Sequence, residues 1–204
     1  MSTVTLPPEA ASLLAFWFGT AEVAGPVDPA NMGRWFRTDA AFDAACKDNF
    51  GALADRAARG ELTDWETSAP GALARVILLD QIPRNLYRDD ARTFAADPQA
   101  VEVAARAIAR GLDREVSTLA RMFFYLPFEH AEDMAHQDRC VALSEQAAAE
   151  APPELASLSA SLVDYAVKHR AVIARFGRFP HRNAALGRES TPDEREFLAS
   201  GRGF

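Results

Sequence analysis

The stretch APGALARVILLDQ, residues 69–81, carries the fold signal of this chain most clearly. Leu73, Val76 and Ile77 recur at the three- and four-residue steps that place side chains on one face of an α-helix. Ser68 in front of the stretch is a suitable N-cap, and the helix must end before Pro83 because proline disfavours helical backbone in the residue preceding it. The spacing therefore predicts a helix that begins after Ser68 and ends before Pro83.

The same periodicity covers most of the chain, and clear period-two runs of β-branched residues are missing. We therefore predict an all-α protein of seven or more helices joined by short loops. Proline, glycine and capping residues mark the expected boundaries. They give helices over residues 7–19, 39–59, 97–111, 128–150 and 155–177, a segment from Ser117 or Thr118 interrupted at Pro127, and a short helix capped by Thr191 with Glu194.

Composition limits the class of protein. The 204 residues suit one domain with a full core, and 49% hydrophobic with 25% charged residues is an ordinary globular composition. The net charge of −7 argues against nucleic-acid or anionic-membrane binding, since both need a positive field. We predict a single helical domain over residues 1–204, without a nucleic-acid partner and without membrane association.

The cysteines and the first residues favour a cytoplasmic protein. Cys46 and Cys140 have neither CxxC spacing nor a histidine-rich neighbourhood, so no zinc or redox motif is visible. The opening MSTVTLPPEA lacks the basic start and apolar run of a secretory signal, and no apolar stretch approaches the roughly 20 residues of a bilayer span. Neither a cofactor nor an oligomeric state is indicated by the sequence.

Two polar residues occupy positions where a helix should be apolar. Asp80 continues the face of Leu73, Val76 and Ile77, so it is aimed inward in the last turn, where burial and the helix dipole both disfavour its charge. An ionised Asp80 needs a cation, for which Arg84 and Arg182 are candidates, in either a structural clamp or a functional pair. In the last long helix, His169 falls on the predicted apolar seam, which comprises Leu155, Leu158, Leu162, Tyr165, His169, Val172 and Phe176.

The segment PFEHAEDMAH, residues 127–136, carries acidic residues and a histidine at helical spacing. If it forms one helix, Glu129, Glu132, Asp133 and His136 share a stripe about 100° wide. Asp133 and His136 match only half of the Glu-x-x-His pattern of carboxylate-bridged metal sites in helical bundles. We therefore predict no metal site, and the stripe can either line a cavity or place acids in a first turn, which the helix dipole favours.

The segment FGRFPHRN, residues 176–183, forms a donor-rich loop. Residues 165–188 contain six basic side chains and no acid, which is unusual in a chain of net charge −7. Arg178, His181 and Arg182 suit a carboxylate or phosphate, because the planar guanidinium binds such groups through two nitrogens. Internal pairing with Glu129 to Asp133 would use the same donors, and the sequence leaves both outcomes open.

Three motifs together resemble a bacterial family, domain of unknown function nine hundred and twenty-four. They are LLDQIPRNLYR, FFYLPFEHAED and HRAVIARFGRFPHRNAALGRESTPDEREFL, and the likeness runs over nearly the whole chain. The resemblance implies a tetratricopeptide-like array of antiparallel helix pairs. It implies no reaction, and so no catalytic residue can be assigned from it.

The three chemically unusual segments define the candidate site. We predict that their polar side chains share one partly enclosed space and bind a small anionic molecule, with hydrolysis as the reaction that would suit them. Two alternatives remain open: a peptide-binding scaffold with Trp17, Trp35 and Phe36 as anchors, and a purely structural network. The predicted site residues are Asp80, Arg84, Asn85, Glu129, His130, Glu132, Asp133, His169, Arg178, His181, Arg182 and Asn183.

Overall fold

The structure, a computed structural model, describes residues 5–28, 31–35 and 37–201, and these residues form α-helices, short 3-10 helices and loops. The all-α prediction is confirmed. The α-helices are α1 (Pro8–Phe18), α2 (Met32–Trp35), α3 (Ala40–Ala58), α4 (Ala69–Asp80), α5 (Ile82–Leu86), α6 (Asp97–Ala109), α7 (Thr118–His130), α8 (Met134–Ala149), α9 (Ala156–Phe176) and α10 (Pro192–Ala199).

Most helix boundaries lie where local capping signals place them. The Ser68 hydroxyl accepts a hydrogen bond from Gly71 N at 3.3 Å at the start of α4. Thr191 and Glu194 form the predicted capping box of α10. Gly177 ends α9 with φ of 67°, a left-handed conformation that glycine adopts without a steric penalty. These ends depend on residues close in sequence, which is why the sequence predicts them well.

The chain divides into two compact units, and each has its own core. The first unit comprises residues within Met1–Arg88 and Thr93–Pro127. Helix α4 lies at its centre, with Leu73, Val76 and Ile77 fully buried, and packs against α1, α3, α5 and α6. Beside it, the aromatic rings of Trp17, Phe18, Trp35, Phe42 and Phe123 form a continuous edge-to-face and stacked cluster.

The second unit comprises residues 89–92 and the chain from Phe128 onward. Helices α8 and α9 form its main pair. Arg170 Nε, late in α9, lies 2.5 Å from Asp138 Oδ1, early in α8, so the two helices run antiparallel. Val172, Ile173 and Phe179 form the buried centre of this unit, with Met134, Phe176 and Phe197 packed around them.

The predicted helix break at Pro127 is wrong. Helix α7 continues through Pro127 to His130, and the break comes at residues 131–133, before α8. Phe123, Phe124 and Phe128 are fully buried on α7, and burying such side chains offsets the roughly 3 kcal/mol that an interior proline costs. The acidic stripe predicted for one helix from residue 128 to 150 is therefore wrong as well, because its members lie on two helices and a turn.

The predicted apolar seam of α9 is displaced. Tyr165 is 52% exposed, whereas Ser159, Ala166, Val172 and Ile173 are buried. Two of these buried residues, Ser159 and Ala166, are small, and a periodicity that counts only large apolar residues misses them. His169 nevertheless faces inward, since its side chain is only 12% exposed.

Candidate functional site

The predicted site residues fall in both units. Asp80, Arg84 and Asn85 lie in the first unit, whereas the members from Glu129 to Asp133 and from His169 to Asn183 lie in the second. The second group comes together around Phe179. That all three segments share one space stays a prediction.

Asp80 is clamped by its own helix end. Its carboxylate is fully buried, and it accepts from Gln81 Nε2 at 2.5 Å and lies 3.3 Å from Arg84 Nη1. Arg84 Nη2 reaches Asp97 Oδ1 at 3.0 Å, so one guanidinium bridges two carboxylates. Burial opposes the charge of Arg84, but Asp80 and Asp97 outweigh it and raise the pKa of Arg84. Arg84 is thus the cation that neutralises the buried carboxylate of Asp80, as predicted from its spacing.

Asn85 continues this network in the first unit. Its Nδ2 donates to the Gln81 carbonyl at 3.1 Å, and its Oδ1 accepts from Arg88 Nη2 at 3.4 Å. Arg88 in turn binds both carboxylate oxygens of Asp43 at 2.7 Å. These contacts tie α5 to α3, and this part of the predicted site therefore has a clear structural role.

A buried glutamine holds the turn between α7 and α8. Gln137 is fully buried, and its Nε2 donates to the carbonyls of Phe128, Glu129 and Ala131 at 3.3, 2.6 and 2.8 Å. Carbonyls at a helix C-terminus have no partner within the helix, so Gln137 satisfies the end of α7. Asp133 begins the next helix, because its Oδ1 accepts from His136 N at 3.0 Å.

Glu132 anchors the C-terminal loop to this turn. Arg188 binds it through two nitrogens, Nη1 to Oε2 at 2.6 Å and Nη2 to Oε1 at 2.9 Å, and Phe179 N donates to Oε1 at 2.7 Å. Burial alone would raise the pKa of Glu132, but the hydrogen bonds from Arg188 and Phe179, together with the charge of Arg182, lower it. Glu132 is therefore committed to an internal pair.

Arg178 is paired internally too. Its Nε and Nη2 donate to the two carboxylate oxygens of Glu194 at 2.7 and 2.9 Å. Asn183 Nδ2 lies 3.3 Å from the same carboxylate, and Thr191 N donates to it at 2.7 Å. Glu194 is 2% exposed, and these donors, Arg178 first, lower its pKa to about 2. The partner of Arg178 is thus Glu194 of α10 and not one of the acids from Glu129 to Asp133.

The side chains of His169, His181 and Arg182 contact the buried ring of Phe179. His130 interacts electrostatically with both histidines, and we call the four residues the histidine–arginine cluster. The Phe179 ring centroid lies 5.7 Å from that of His169 and 5.6 Å from that of His181. The Arg182 guanidinium lies 4.6 Å above the same ring, and its Nη2 donates to the His130 carbonyl at 2.9 Å. Both of these partners of Arg182 are neutral groups.

Glu129 adjoins the cluster from α7. Its Oε1 lies 3.5 Å from His169 Nδ1, which is also 2.9 Å from the Tyr165 carbonyl. Both acceptors favour a proton on Nδ1 of the neutral ring. Burial, only partly offset by the Tyr165 carbonyl and reinforced by His130, His181 and Arg182, lowers the pKa of His169 to about 3. The imidazole of His169 is therefore neutral at pH 7.

Sequence reasoning missed four residues that organise this region: Gln137, Phe179, Arg188 and Glu194. Arg188 was counted among the basic residues, yet only the fold pairs it with Glu132, 56 positions away. Glu194 had a local signal, its place in the capping box, which says nothing about Arg178. The aromatic anchors expected of a scaffold are not exposed, since Trp17 and Trp35 are buried, and Phe36 lies outside the described residues.

Residues 5–28, 31–35 and 37–201 contain neither a cluster of metal ligands nor a helix that could span a membrane. Within these ranges no three His, Cys, Asp or Glu side chains are placed to hold a metal ion together. Over the same part of the chain, every helix is too short or too polar to cross a bilayer.

The comparisons with known proteins agree with this helical architecture. The chain belongs to a bacterial protein family of unknown function (DUF924), whose model matches residues 13–202, so the resemblance of its motifs is confirmed. The chain is also similar to a protein of unknown function from Agrobacterium tumefaciens with a solved structure. The two are 43% identical with a TM-score of 0.80, over 94% of this chain and 97% of that chain. No curated protein matches the chain.

Proposed function

We propose that this protein binds a small anionic molecule at the histidine–arginine cluster. The observation that carries the proposal is that Arg182, His169 and His181 all contact the Phe179 ring. A guanidinium is well suited to a carboxylate or phosphate, for which it provides two parallel donors. His181 is exposed and His130 is half-buried, so an approaching ligand can meet both.

The other basic residues of this segment contact carboxylates or an aromatic ring of the protein itself. Lys168, Arg170, Arg178 and Arg188 each bind a carboxylate within 3 Å, and Arg175 lies over the Phe176 ring at 4.6 Å. These pairs make internal use of most of the positive charge between residues 165 and 188. Arg182 lies with His169 and His181 around the Phe179 ring, and this group of donors is where we place the ligand.

Binding is better supported than hydrolysis. A general base works best when its pKa lies near the operating pH, and His169 at about 3 is far below it. Glu129 beside His169 gives the pair a fixed orientation, which suits ligand recognition by a neutral imidazole. A hydrolase-like reaction stays a prediction with weaker support. The peptide-binding scaffold keeps only the antiparallel pair of α8 and α9 in its favour.

Thermal shift and calorimetry with inorganic phosphate, sulfate, acetate and succinate test the proposal. A ligand that binds only the folded state at 100 times its Kd stabilises by about 2.7 kcal/mol, which is roughly 5–10 °C for a chain of this length. We expect at least one of these anions to raise the melting temperature and to give a saturable heat.

Arg139 provides a matched control for Arg182, because its guanidinium also lies 4.6 Å from a phenylalanine ring, that of Phe128. Arg182→Lys keeps the charge but loses the planar fork, and we expect it to weaken anion binding about tenfold or more. Arg139→Lys should bind as the wild type does. Absence of binding in the wild type, or equal affinity in both variants, would contradict the proposal.

A structural role for Arg182 gives a different pattern. In that case Arg182→Lys lowers the melting temperature because a buried guanidinium loses its contacts with the His130 carbonyl and Phe179. Under our proposal the variant shows that loss and, in addition, loses most of the ligand-induced shift of the wild type. The ligand-induced shift, measured from each variant's own melting temperature without anion, separates the two roles.

A further inference from the structure

The hairpin formed by α8 and α9 is well packed at one end only. Near the start of α8 and the end of α9, Gln137, Cys140, Val172 and Ile173 are buried. Residues 141–158, all of which the structure describes, run from the middle of α8 to the first residues of α9, and no side chain among them is buried. Two helices bury only the sides that face each other, so apolar residues on their flanks stay accessible unless a third element covers them.

One flank of this hairpin carries an apolar surface. The Glu129 carboxylate lies 3.5 Å from His169 on α9 and interacts electrostatically with Cys140 on α8, so these two residues mark the same flank. Residues three, four, seven or eleven positions away from each share its helix face. The apolar residues at these positions are Leu143 and Ala147 on α8 and Leu158, Leu162 and Tyr165 on α9, and we call them the hairpin flank.

The hairpin flank has the size and shape that a third helix requires. Tyr165 is 52% exposed, and the other four side chains are half-buried. On each helix the flank extends over seven residues, from Cys140 to Ala147 and from Leu158 to Tyr165, which is about 10 Å of helix axis. Apolar side chains at steps of three and four form the ridges against which another helix packs. Two to three turns of a partner helix would therefore cover the surface.

The charge beside the hairpin flank has one sign. Residues 141–167 contain Glu145, Glu150, Glu154 and Asp164 and no Lys, Arg or His. All four acids are exposed, and Lys168, just beyond this range, binds Asp164 at 2.6 Å. A second copy of the chain or an anionic lipid surface would bring negative charge against negative charge, which disfavours both. The complementary partner carries lysine or arginine beside its apolar residues.

From the apolar surface and its charge, we infer that the hairpin flank docks a basic amphipathic helix of another protein. The apolar side of that helix covers Tyr165 and the leucines, and its cations lie near the exposed acids. An extended peptide fits less well, since the part of the chain that the structure describes has no β-strand whose edge could pair with it. The inference does not depend on the proposed anion site, because the hairpin flank shares no residue with the histidine–arginine cluster.

A model peptide tests the inference. The probe is a fluorescein-labelled peptide of about 14 leucines and lysines, ordered so that the leucines form one face of a helix. We would measure its Kd by fluorescence anisotropy at low salt and at about 0.15 M salt. One comparison peptide has the same composition in an order without an apolar face, and another has glutamate in place of lysine. We expect saturable binding of the first peptide only, stronger at low salt, with a gain of helical circular dichroism in the complex.

Four variants locate the binding surface. Tyr165→Ala should weaken binding about tenfold, because a central aromatic side chain is a typical anchor of an interface. Val167→Ala is the matched control, since Val167 is 44% exposed on the same helix but points about 200° away from Tyr165. Glu154→Lys should weaken binding about fivefold and reduce its salt dependence, whereas Glu196→Lys, at an exposed position of α10, should not. All four positions are exposed, so each variant should melt near the wild type.

Several outcomes would overturn the inference. Failure of the basic amphipathic peptide to bind, or equal affinity in Tyr165→Ala and the wild type, removes the docking surface. Equal binding of the reordered peptide would reduce the effect to charge attraction. Binding to vesicles of phosphatidylcholine and phosphatidylserine that Tyr165→Ala abolishes would assign the hairpin flank to a membrane, and self-association that Tyr165→Ala abolishes would assign it to a second copy. None of these results bears on the anion site, which is tested by anion binding to the wild type.

Discussion

Replacing Glu194 with glutamine tests how the C-terminal helix is held. The two carboxylate oxygens face only donors: Arg178 Nε at Oε1, and Arg178 Nη2, Asn183 Nδ2 and Thr191 N at Oε2. A glutamine amide must put its NH₂ group on one side. The less costly choice is the Oε1 side, where one donor then meets another and a hydrogen bond at 2.7 Å is lost.

The magnitude follows from these contacts. A hydrogen bond to a charged group contributes about 1.5–3 kcal/mol, and removing one partner of a fully buried ion pair costs about 3–5 kcal/mol. Because the Arg178 side chain is 28% exposed, water recovers part of that cost. We therefore expect Glu194→Gln to lower the free energy of unfolding of the second unit by about 2–3 kcal/mol at pH 7.

The assay has to report on the second unit. Trp17, Trp35 and Trp65 all belong to the first unit, so tryptophan fluorescence is unsuitable. Hydrogen exchange of the α9 and α10 amides, together with urea unfolding followed by circular dichroism, measures the relevant change. Glu189→Gln is the control, since Glu189 is exposed and contributes to Arg178 only its backbone carbonyl.

Acid titration gives a second readout of the same contact. The pKa of Glu194 is lowered from 4.5 to about 2, so its stabilisation is fully present above pH 4.5 and is lost as the pH falls through 2. The difference between wild type and Glu194→Gln should therefore shrink below pH 4.5. A Glu194→Gln variant within about 0.5 kcal/mol of wild type at pH 7 would refute the reasoning, because a change that small is typical of surface positions.

Three further perturbations probe other contacts. Gly71→Ala should destabilise the first unit by about 1–3 kcal/mol, because the added Cβ would lie 2.1 Å from the Trp65 carbonyl oxygen. Gly51→Ala should instead stabilise α3 by about 0.5–1 kcal/mol, because its Cβ would meet Leu86 at an ordinary 3.5 Å. Urea unfolding followed by tryptophan fluorescence measures both changes in stability. Gln137→Ala should lower the free energy of unfolding by about 2–4 kcal/mol, because three buried carbonyls lose their hydrogen-bond donor. Hydrogen exchange measures the change, and an equal loss in Gln146→Ala, at an exposed position, would contradict this reasoning. The pKa of His169 is lowered from 6.5 to about 3, so the unfolded chain binds more protons than the folded protein between these pH values. The free energy of unfolding should therefore be about 2 kcal/mol lower at pH 5 than at pH 7 from this residue. Urea unfolding of His169→Gln at the two pH values should show that this part of the pH dependence is gone.

The helices and their ends were predictable because their signals are local. Ser68 caps α4 through the amide of Gly71, three residues on, and Thr191 and Glu194 cap each other over the same distance. Arg84 reaches Asp80 within one turn, so that pair could be anticipated from spacing alone. Such contacts need no knowledge of how the chain folds back on itself.

The internal use of the arginines could not be predicted in the same way. Arg178 had several acids as plausible partners, and its choice of Glu194, 16 positions away, depends on how α10 packs in the second unit. Pro127 shows the same limit for the backbone, because a helix continues through a proline only when tertiary burial of its neighbours outweighs the lost hydrogen bond. From the sequence alone, such alternatives can be judged only by local helix propensity, and tertiary burial outweighs that propensity here.

The amino-acid sequence by itself determined the all-α class, most helix termini, the inward position of Asp80 and His169, and the family to which the chain belongs. Only the tertiary structure decided which charged side chains pair with each other and which side chains contact Phe179. The physical reason is range: backbone hydrogen bonds and caps act over three or four residues, whereas ion pairs and ring contacts join residues that only the packed chain brings within a few ångströms.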